Sequence, residues 1–373
     1  MKTHKLPLLA AMLFVVMSAS GCTVSLSNPP VNLVWPIPPE EMKIAFVNSY
    51  RGDIDLKRYT YLDLFLGVEH KVQIQKPYGV ASWGDKIYVA LSQSASVIIL
   101  DTKEKKVGFL DDSGQGKLSV PIGLAISSSG IIYVSDAKRK RVFGYNLSSG
   151  GLRVAIGNKG EFENPSGLAV NDDLKRLYVV DSYAHSISAY SLQGEFLFKF
   201  GSRGDGPSEF NYPSNVAVDR RNGTVHVVDT QNFRVQIFDK DGKFIRMFGY
   251  LGDGPGAFSR PKGIGVDSEG NTYVVDAAFG NFQIFNDEGQ LLLVVGNIGA
   301  GPGEFQLPAG LFIDDQDRIF VTDQYNARVQ VFQYLSDKWK KDHPEAYEKL
   351  RLPVDKPLEK NEASSEIKKV EQE

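Results

Sequence analysis

The chain has 373 residues, a formal net charge of −3, 42% hydrophobic and 23% charged residues, and a single cysteine. A near-neutral balance gives no reason to expect a nucleic acid as partner, because nucleic-acid binders carry a basic surplus on one face. One cysteine excludes an intrachain disulfide, and the absence of a Cys-x-x-Cys-His run excludes c-type haem attachment, so the expected fold carries no cofactor and rests on packing alone.

The N-terminus reads as a targeting segment. Lys2 and Lys5 precede a short apolar stretch over residues 6–17, and Ser18-Ala19-Ser20-Gly21 follows. Residues 1–21 are therefore expected to be a secretory signal peptide, too short to remain as a membrane anchor. Cys22 stands directly after the small residues and resembles a bacterial lipobox, which implies cleavage before it and lipidation of its thiol. Thr23 in place of aspartate points to the outer membrane. Residues 22–41, rich in Pro, Ser and Asn, read as a tether with polyproline geometry.

Residues 42–48 (Met-Lys-Ile-Ala-Phe-Val-Asn) form one isolated strand pattern, and residues 49–75 fit no pattern, although 71–74 could supply an outer strand. A repeat then begins. Its anchors are Pro77, Pro121, Pro165, Pro213, Pro261 and Pro308, spaced 44, 44, 48, 48 and 47 residues apart. Each proline opens P-x-G or a close variant, an apolar triplet, a turn, and an apolar run that ends in aspartate in all but the first repeat. In the fourth repeat, residues 215–219, 224–228, 234–238 and 243–249 alternate with period two and are separated by turn residues such as Asp241-Gly242. Four short strands per 44–48 residues define a propeller blade, so the expected fold is an all-β, six-bladed β-propeller over residues 42–334.

Blades one and two are the degenerate ones: Leu91 and Ser96 stand where later blades have aspartate and arginine. The sixth repeat holds only three strands, and an unpaired edge would stay exposed. Residues 42–48 are expected to supply its fourth strand and latch the ring. The charged segment 335–373 is expected to form one short helix ending near Leu352 and then a disordered tail.

The pattern P-x-G-[ILV]-A-[VI], then [YFH]-V-[VST]-D, R-V-Q-[VI]-F, F-G and G-x-G-P-G-x-F resembles the NHL repeat over roughly residues 42–334. Asn215 and Asn281 depart from it, at the glycine and the arginine. With Cys22, the whole resembles a bacterial NHL-propeller lipoprotein. That resemblance implies a binding or assembly module rather than an assigned reaction.

Three sets of residues invite a chemical reading. Glycine-rich loops such as 201–207, 249–256 and 296–303 look like phosphate cradles, but they follow a strand and open another strand, not a helix. They read as turns, with Phe210, Phe258 and Phe305 plugging between blades. Asp136, Asp181, Asp229, Asp276 and Asp323 recur at one strand end, where aspartate accepts local backbone hydrogen bonds. Of the histidines, His226 occupies a position held elsewhere by Tyr133, Tyr178, Tyr273 and Phe320 and reads as core. His185 lies in a loop, and one histidine makes neither a zinc site nor a catalytic centre. The run Lys138-Arg139-Lys140-Arg141 reads as a solvated loop or a contact for an acidic partner.

The most variable loops are those between blades and those between strands two and three. Their distinctive side chains are Tyr78, Arg139, Tyr183, His185, Arg203, Phe233, Lys262, Phe279 and Tyr325, of the types that dominate interface energetics. The expected function is a non-catalytic envelope lipoprotein whose propeller face binds a protein or glycan partner, with membrane contact through the lipid anchor and no metal. The alternative is a propeller lyase or lactonase acting on a small molecule over the channel.

Overall fold

The second and third strands of the repeats are buried almost continuously, so the narrow sheet carries side chains on both faces that only stacking against neighbouring sheets can bury. The computed structural model resolves this as six antiparallel sheets around a central channel. It describes residues 32–56, 72–110, 114, 116–158 and 160–351, with the backbone of 23–24 and 59–60. The expected signal peptide, the expected lipidation at Cys22 and the tail beyond residue 351 lie outside the described residues.

Each blade opens with an innermost strand at its anchor proline: Pro77–Trp83, Pro121–Ile126, Pro165–Asn171, Pro213–Val218, Pro261–Val266 and Pro308–Ile313. The second and third strands follow outward, and in blades one to five a fourth strand completes the sheet. Blades one and two, degenerate in sequence, are four-stranded like the others, with outer strands Lys106–Leu110 and Leu152–Ile156. Six apolar clusters fill the six junctions between blades. Tyr133, Tyr178 and Tyr273 on the second strands are fully buried in them.

The ring closes through the N-terminal strand. Ile44–Tyr50 pairs antiparallel with Arg328–Tyr334, so the sixth blade takes its outer strand from the start of the propeller chain. Phe46 meets Phe332 edge-on at 5.6 Å. The end of the expected tether is folded rather than free: Val34–Trp35 pairs with Ile44–Ala45 as a fifth strand, and Trp35 packs against Phe332. Leu33, Val34 and Trp35 carry enough apolar surface to cover a sheet edge, which outweighs the prolines around them. Of the expected outer strand at 71–74, residues 72–74 are described and form none. Within the described part of that segment only Gln73 bridges, to Gly52.

The C-terminal segment forms two helices, Asp337–Asp342 and Pro344–Arg351, where one was expected. Ser336 caps the first by accepting a hydrogen bond from the Trp339 N–H. Pro344, which cannot donate within a helix interior, begins the second. Trp339, Tyr347 and Leu350 pack on Val34, Met42, Ala45 and Leu335, tying the tail to the latch.

Removing residues 42–48 is expected to lower the Tm by far more than an equal deletion in an exposed loop, and Phe46→Ala to cost about 3–5 kcal/mol. Urea titration of both variants checks this. An unchanged transition in either would mean the ring does not depend on the latch.

Candidate functional site

The motif residues that recur in each blade turn out to fix loops. Each strand-end aspartate accepts from the backbone just before its own anchor proline: Asp136 from Ser119 and Val120, Asp181 from Glu163 and Asn164, Asp276 from Ser259 and Arg260. Asp229 and Asp323 also hold Arg234 and Arg328 at 2.9 Å. Burial pushes both carboxyls up, and the hydrogen bonds from Asn211 N–H, Asn232 and Arg234, or from Asn326, Gln306 N–H and Arg328, oppose that push.

These arginines bind the glycine-rich loops. Arg234 donates to the carbonyls of Asp205, Gly206 and Glu209, and Arg328 donates to those of Ala300, Gly301 and Glu304. Phe210, Phe258 and Phe305 are fully buried between blades. Their rings lie against Gly201, Gly249 and Gly296, whose φ of 94°, 93° and 91° admits no other residue comfortably. In blade five, where Asn281 replaces arginine, its Oδ1 is buried without a hydrogen-bond partner among the described residues.

The channel has two unlike ends. On the side of the interblade loops, P-x-G glycines press on the next inner strand. A Cβ on Gly79, Gly123, Gly263 or Gly310 would overlap the backbone of the following blade, and one on Gly167 would overlap Asn215. Hydroxyls stitch the same level: Ser135 to the Ser166 carbonyl, Ser182 to Pro213, Thr230 to Pro261 and Thr322 to Tyr78. The opening left here measures only about 20 Å³. Across it, the Lys262 ammonium sits 5.5 Å from the Tyr78 ring, reaching past blade six, which presents only Ala309 at this level. Burial and the nearby Arg260 hold the Lys262 ammonium below its usual range, and burial raises the Tyr78 phenol.

At the opposite end, between the loops joining strands one and two, the channel widens to a cavity of about 610 Å³. Leu124, Leu168, Val216 and Ile264 line its depth, and Trp83, Ser128, Asp172, Asp173, Arg220, Asp314 and Asp315 line its rim.

Of the side chains expected on the interblade-loop face, Tyr183, Tyr325, Arg139 and Arg203 are exposed. The Arg139 guanidinium lies 5.0 Å from the Phe143 ring and donates to the Lys117 carbonyl. Tyr78, Lys262, Phe233 and Phe279 are half-buried, and Phe233 packs into the core between blades four and five. His185 is not on the surface. Its ring is buried against Tyr212, with Nδ1 3.1 Å from the Phe210 carbonyl and 3.2 Å from the Tyr212 N–H. The turn places it with φ 52°, as it does Lys140 with φ 53° at the same position of blade two, and the Tyr212 ring and the backbone around Phe210 take up the imidazole. His226 is core, between the hydroxyls of Thr224 and Thr272 at 3.0 Å each.

Sequence reasoning missed Tyr212, Leu307, Tyr250, Leu251 and Ile298, all exposed on this face. The signal was present. Tyr212 and Leu307 directly precede an anchor proline, and the other three follow the loop glycines Gly249 and Gly296 within two residues. Tyr183 and Tyr212 meet edge-on at 5.9 Å. With Tyr183 and Tyr325, seven large apolar side chains are exposed on this face, whereas the opposite face exposes Trp83 and, in the turn before Ile44, Ile37.

The sequence matches the family DUF5128, described as a 6-bladed beta-propeller, over residues 158–235, 222–281 and 267–341. No curated protein matches it. Similar solved structures include a protein of unknown function from Bacteroides thetaiotaomicron, with 16% identity over 70% of each chain and a TM-score of 0.56. A gluconolactonase from Xanthomonas campestris shares 16% identity over 84% of this chain and 100% of its own, with a TM-score of 0.56. Virginiamycin B lyase from Staphylococcus aureus shares 13% identity over 69% of this chain and 95% of its own, with a TM-score of 0.52. At such identities the likeness is one of fold.

Two predictions follow from this packing. Gly123→Ala places a methyl against the Ser166 carbonyl and is expected to destabilise by about 1–3 kcal/mol or more, read as a lowered urea midpoint. His226 is held neutral: burial lowers its pKa to about 4, with Asp219, Arg246, Asp287 and Arg221 nearby. The unfolded chain, at about 6.5, takes up the proton first, so the stabilisation is complete above pH 6.5 and is lost as pH falls toward 4, by about 3 kcal/mol. His226→Phe should flatten the stability curve over that window relative to wild type, as measured by urea unfolding at each pH. Parallel curves would show that His226 does not titrate there.

Proposed function

We propose that this chain is a non-catalytic binding protein of the bacterial cell envelope, anchored by lipid at Cys22, whose interblade-loop face docks a protein partner at the outer membrane as a scaffold or assembly factor. The observation that supports this most is the asymmetry of the two faces. Tyr183, Tyr212, Tyr250, Leu251, Ile298, Leu307 and Tyr325 are exposed on one, against Trp83 and Ile37 on the other. The first face is also the closed one, with an opening of about 20 Å³. A flat surface without a cavity offers little to a small molecule, whereas aromatic and arginine side chains on such a surface are what protein interfaces use. Arg139 and Arg203 at its border fit a partner with acidic groups facing them.

The competing reading is an enzyme of the lyase or lactonase kind, favoured by the open cavity at the other end of the channel. Its described lining offers aspartate, serine, asparagine and arginine, but no histidine, cysteine or glutamate. Metal analysis of the purified protein, with a lactone and lyase substrate panel, separates the two readings. Turnover that is lost on chelation would favour the enzyme.

Docking is tested with the tagged full-length protein in crosslinked native membranes. The double variant Tyr183→Ala/Tyr325→Ala should lose at least about thirtyfold in affinity for the captured protein, as expected of interface hot spots, with an unchanged Tm. Trp83→Ala, on the opposite face, should retain the partner. Retention by the double variant, loss through Trp83→Ala, or capture of glycan alone would each overturn the reading.

A further inference from the structure

The wide end of the channel is a blind funnel. Its depth is lined by the apolar residues of the inner strands, among them Leu124, Leu168, Val216 and Ile264, and its far end is shut by the packed P-x-G segments. At about 610 Å³ it lies within the range of small-molecule sites, and an apolar wall with a few polar groups at one end is the usual make-up of such sites.

The rim decides the ligand's charge. Asp172 and Asp173 come from blade three, and Asp314 and Asp315 from blade six on the opposite side of the ring. Asp314 is neutralised by Arg318 at 2.7 Å, and Asp172 accepts from the Ser128 N–H and hydroxyl. Asp173 and Asp315 are exposed and make no ion pair among the described residues. The one cation of the lining, Arg220, extends across the ring and donates to the Ile313 carbonyl at 2.5 Å. The rim thus keeps a negative surplus facing the opening. Trp83 from blade one presents an exposed indole beside it, a surface that attracts organic cations.

From this we infer that the funnel is a binding site for an amphipathic organic cation, an ammonium group with an apolar tail, the tail lying along the inner strands and the ammonium at the Asp173, Asp315 and Trp83 rim. This site lies on the face opposite the proposed docking surface and stands without it.

The test is calorimetric titration of the full-length protein with n-octylammonium, n-octanoate and tetramethylammonium, which vary the head charge and the tail separately. Octylammonium should bind one to one, at least tenfold tighter than either of the others, and should quench Trp83 fluorescence in wild type but not in Trp83→Phe. Asp173→Asn/Asp315→Asn, which alters exposed groups without ion-pair partners, should keep the wild-type Tm and lose at least tenfold in octylammonium affinity. Leu168→Asn, checked for folding by its Tm, should weaken octylammonium and leave tetramethylammonium unchanged. Absence of octylammonium binding, equal binding of octanoate, tighter octanoate binding through Arg220, or indifference to the rim double variant would each overturn the inference.

Discussion

The structure depends on how closely six inner strands approach one another where P-x-G passes the channel axis. At Gly79, Gly123, Gly263 and Gly310 the backbone of one blade occupies the space where a Cβ of its neighbour would stand. That contact sets the radius of the ring on the interblade-loop side. It also dictates which groups can sit between the strands: carbonyls, peptide N–H groups and short hydroxyls, while the Tyr78 ring and the Lys262 ammonium meet across the opening. Ser135, Ser182, Thr230 and Thr322 satisfy the carbonyls that the packing would otherwise leave unpaired. Further along the same strands, Leu124, Leu168 and their counterparts carry full side chains that hold the strands apart. A channel closed at one end and open at the other follows directly.

Closing a ring of sheets removes free edges only if the last sheet is completed by the first part of the chain. Here Ile44–Tyr50 does this, with Val34–Trp35 outside it and the two C-terminal helices against it. Both ends of the propeller chain are therefore invested in blade six. Two of the three glycine-rich loops, 201–207 and 296–303, are tied down by arginine: Arg234 and Arg328 each bind three carbonyls there while Asp229 and Asp323 orient the guanidinium. The loop face is thus built as a rigid surface. Its exposed aromatics would enter an interface with little conformational entropy to lose.

Much of this was readable from residues. Six prolines at near-constant spacing gave the blades, and a sixth repeat one strand short required the N-terminal latch. Phe210, Phe258 and Phe305 were identifiable as plugs because they recur with their glycines. The shortfalls share one cause: repeat logic assigns positions, not directions. His185 stands in a loop, yet its ring packs inward onto Tyr212 and bonds the backbone at Phe210 and Tyr212, contacts that its place in the repeat does not reveal. Tyr212 and Leu307 were passed over because the position before an anchor proline looked like connector. The tether was read from its prolines, while Leu33, Val34 and Trp35 found an apolar edge that composition does not reveal. The funnel was invisible for another reason. Its walls are the same apolar triplets that elsewhere read as core, and only the unequal width of the channel separates a packed side chain from a lining one.

The two ends of the channel are consequently suited to different occupants, and the difference is one of shape before chemistry. Where glycine brings the strands together the opening is narrow, so a partner on that face would meet a lateral surface of tyrosines, leucines and Ile298 from blades three to six. Where side chains hold the strands apart, apolar surface is exposed to water inside a concave wall, and its burial favours an occupant whatever lies on the other face. The inner strands belong to both ends at once. A ligand that wedges the wide end apart would act on the narrow end through the close contacts at Gly79, Gly123, Gly167, Gly263 and Gly310, and the hydroxyl stitching at that level would resist it. The fold therefore favours independence of the two surfaces over communication between them, because the most rigid part of the molecule lies between.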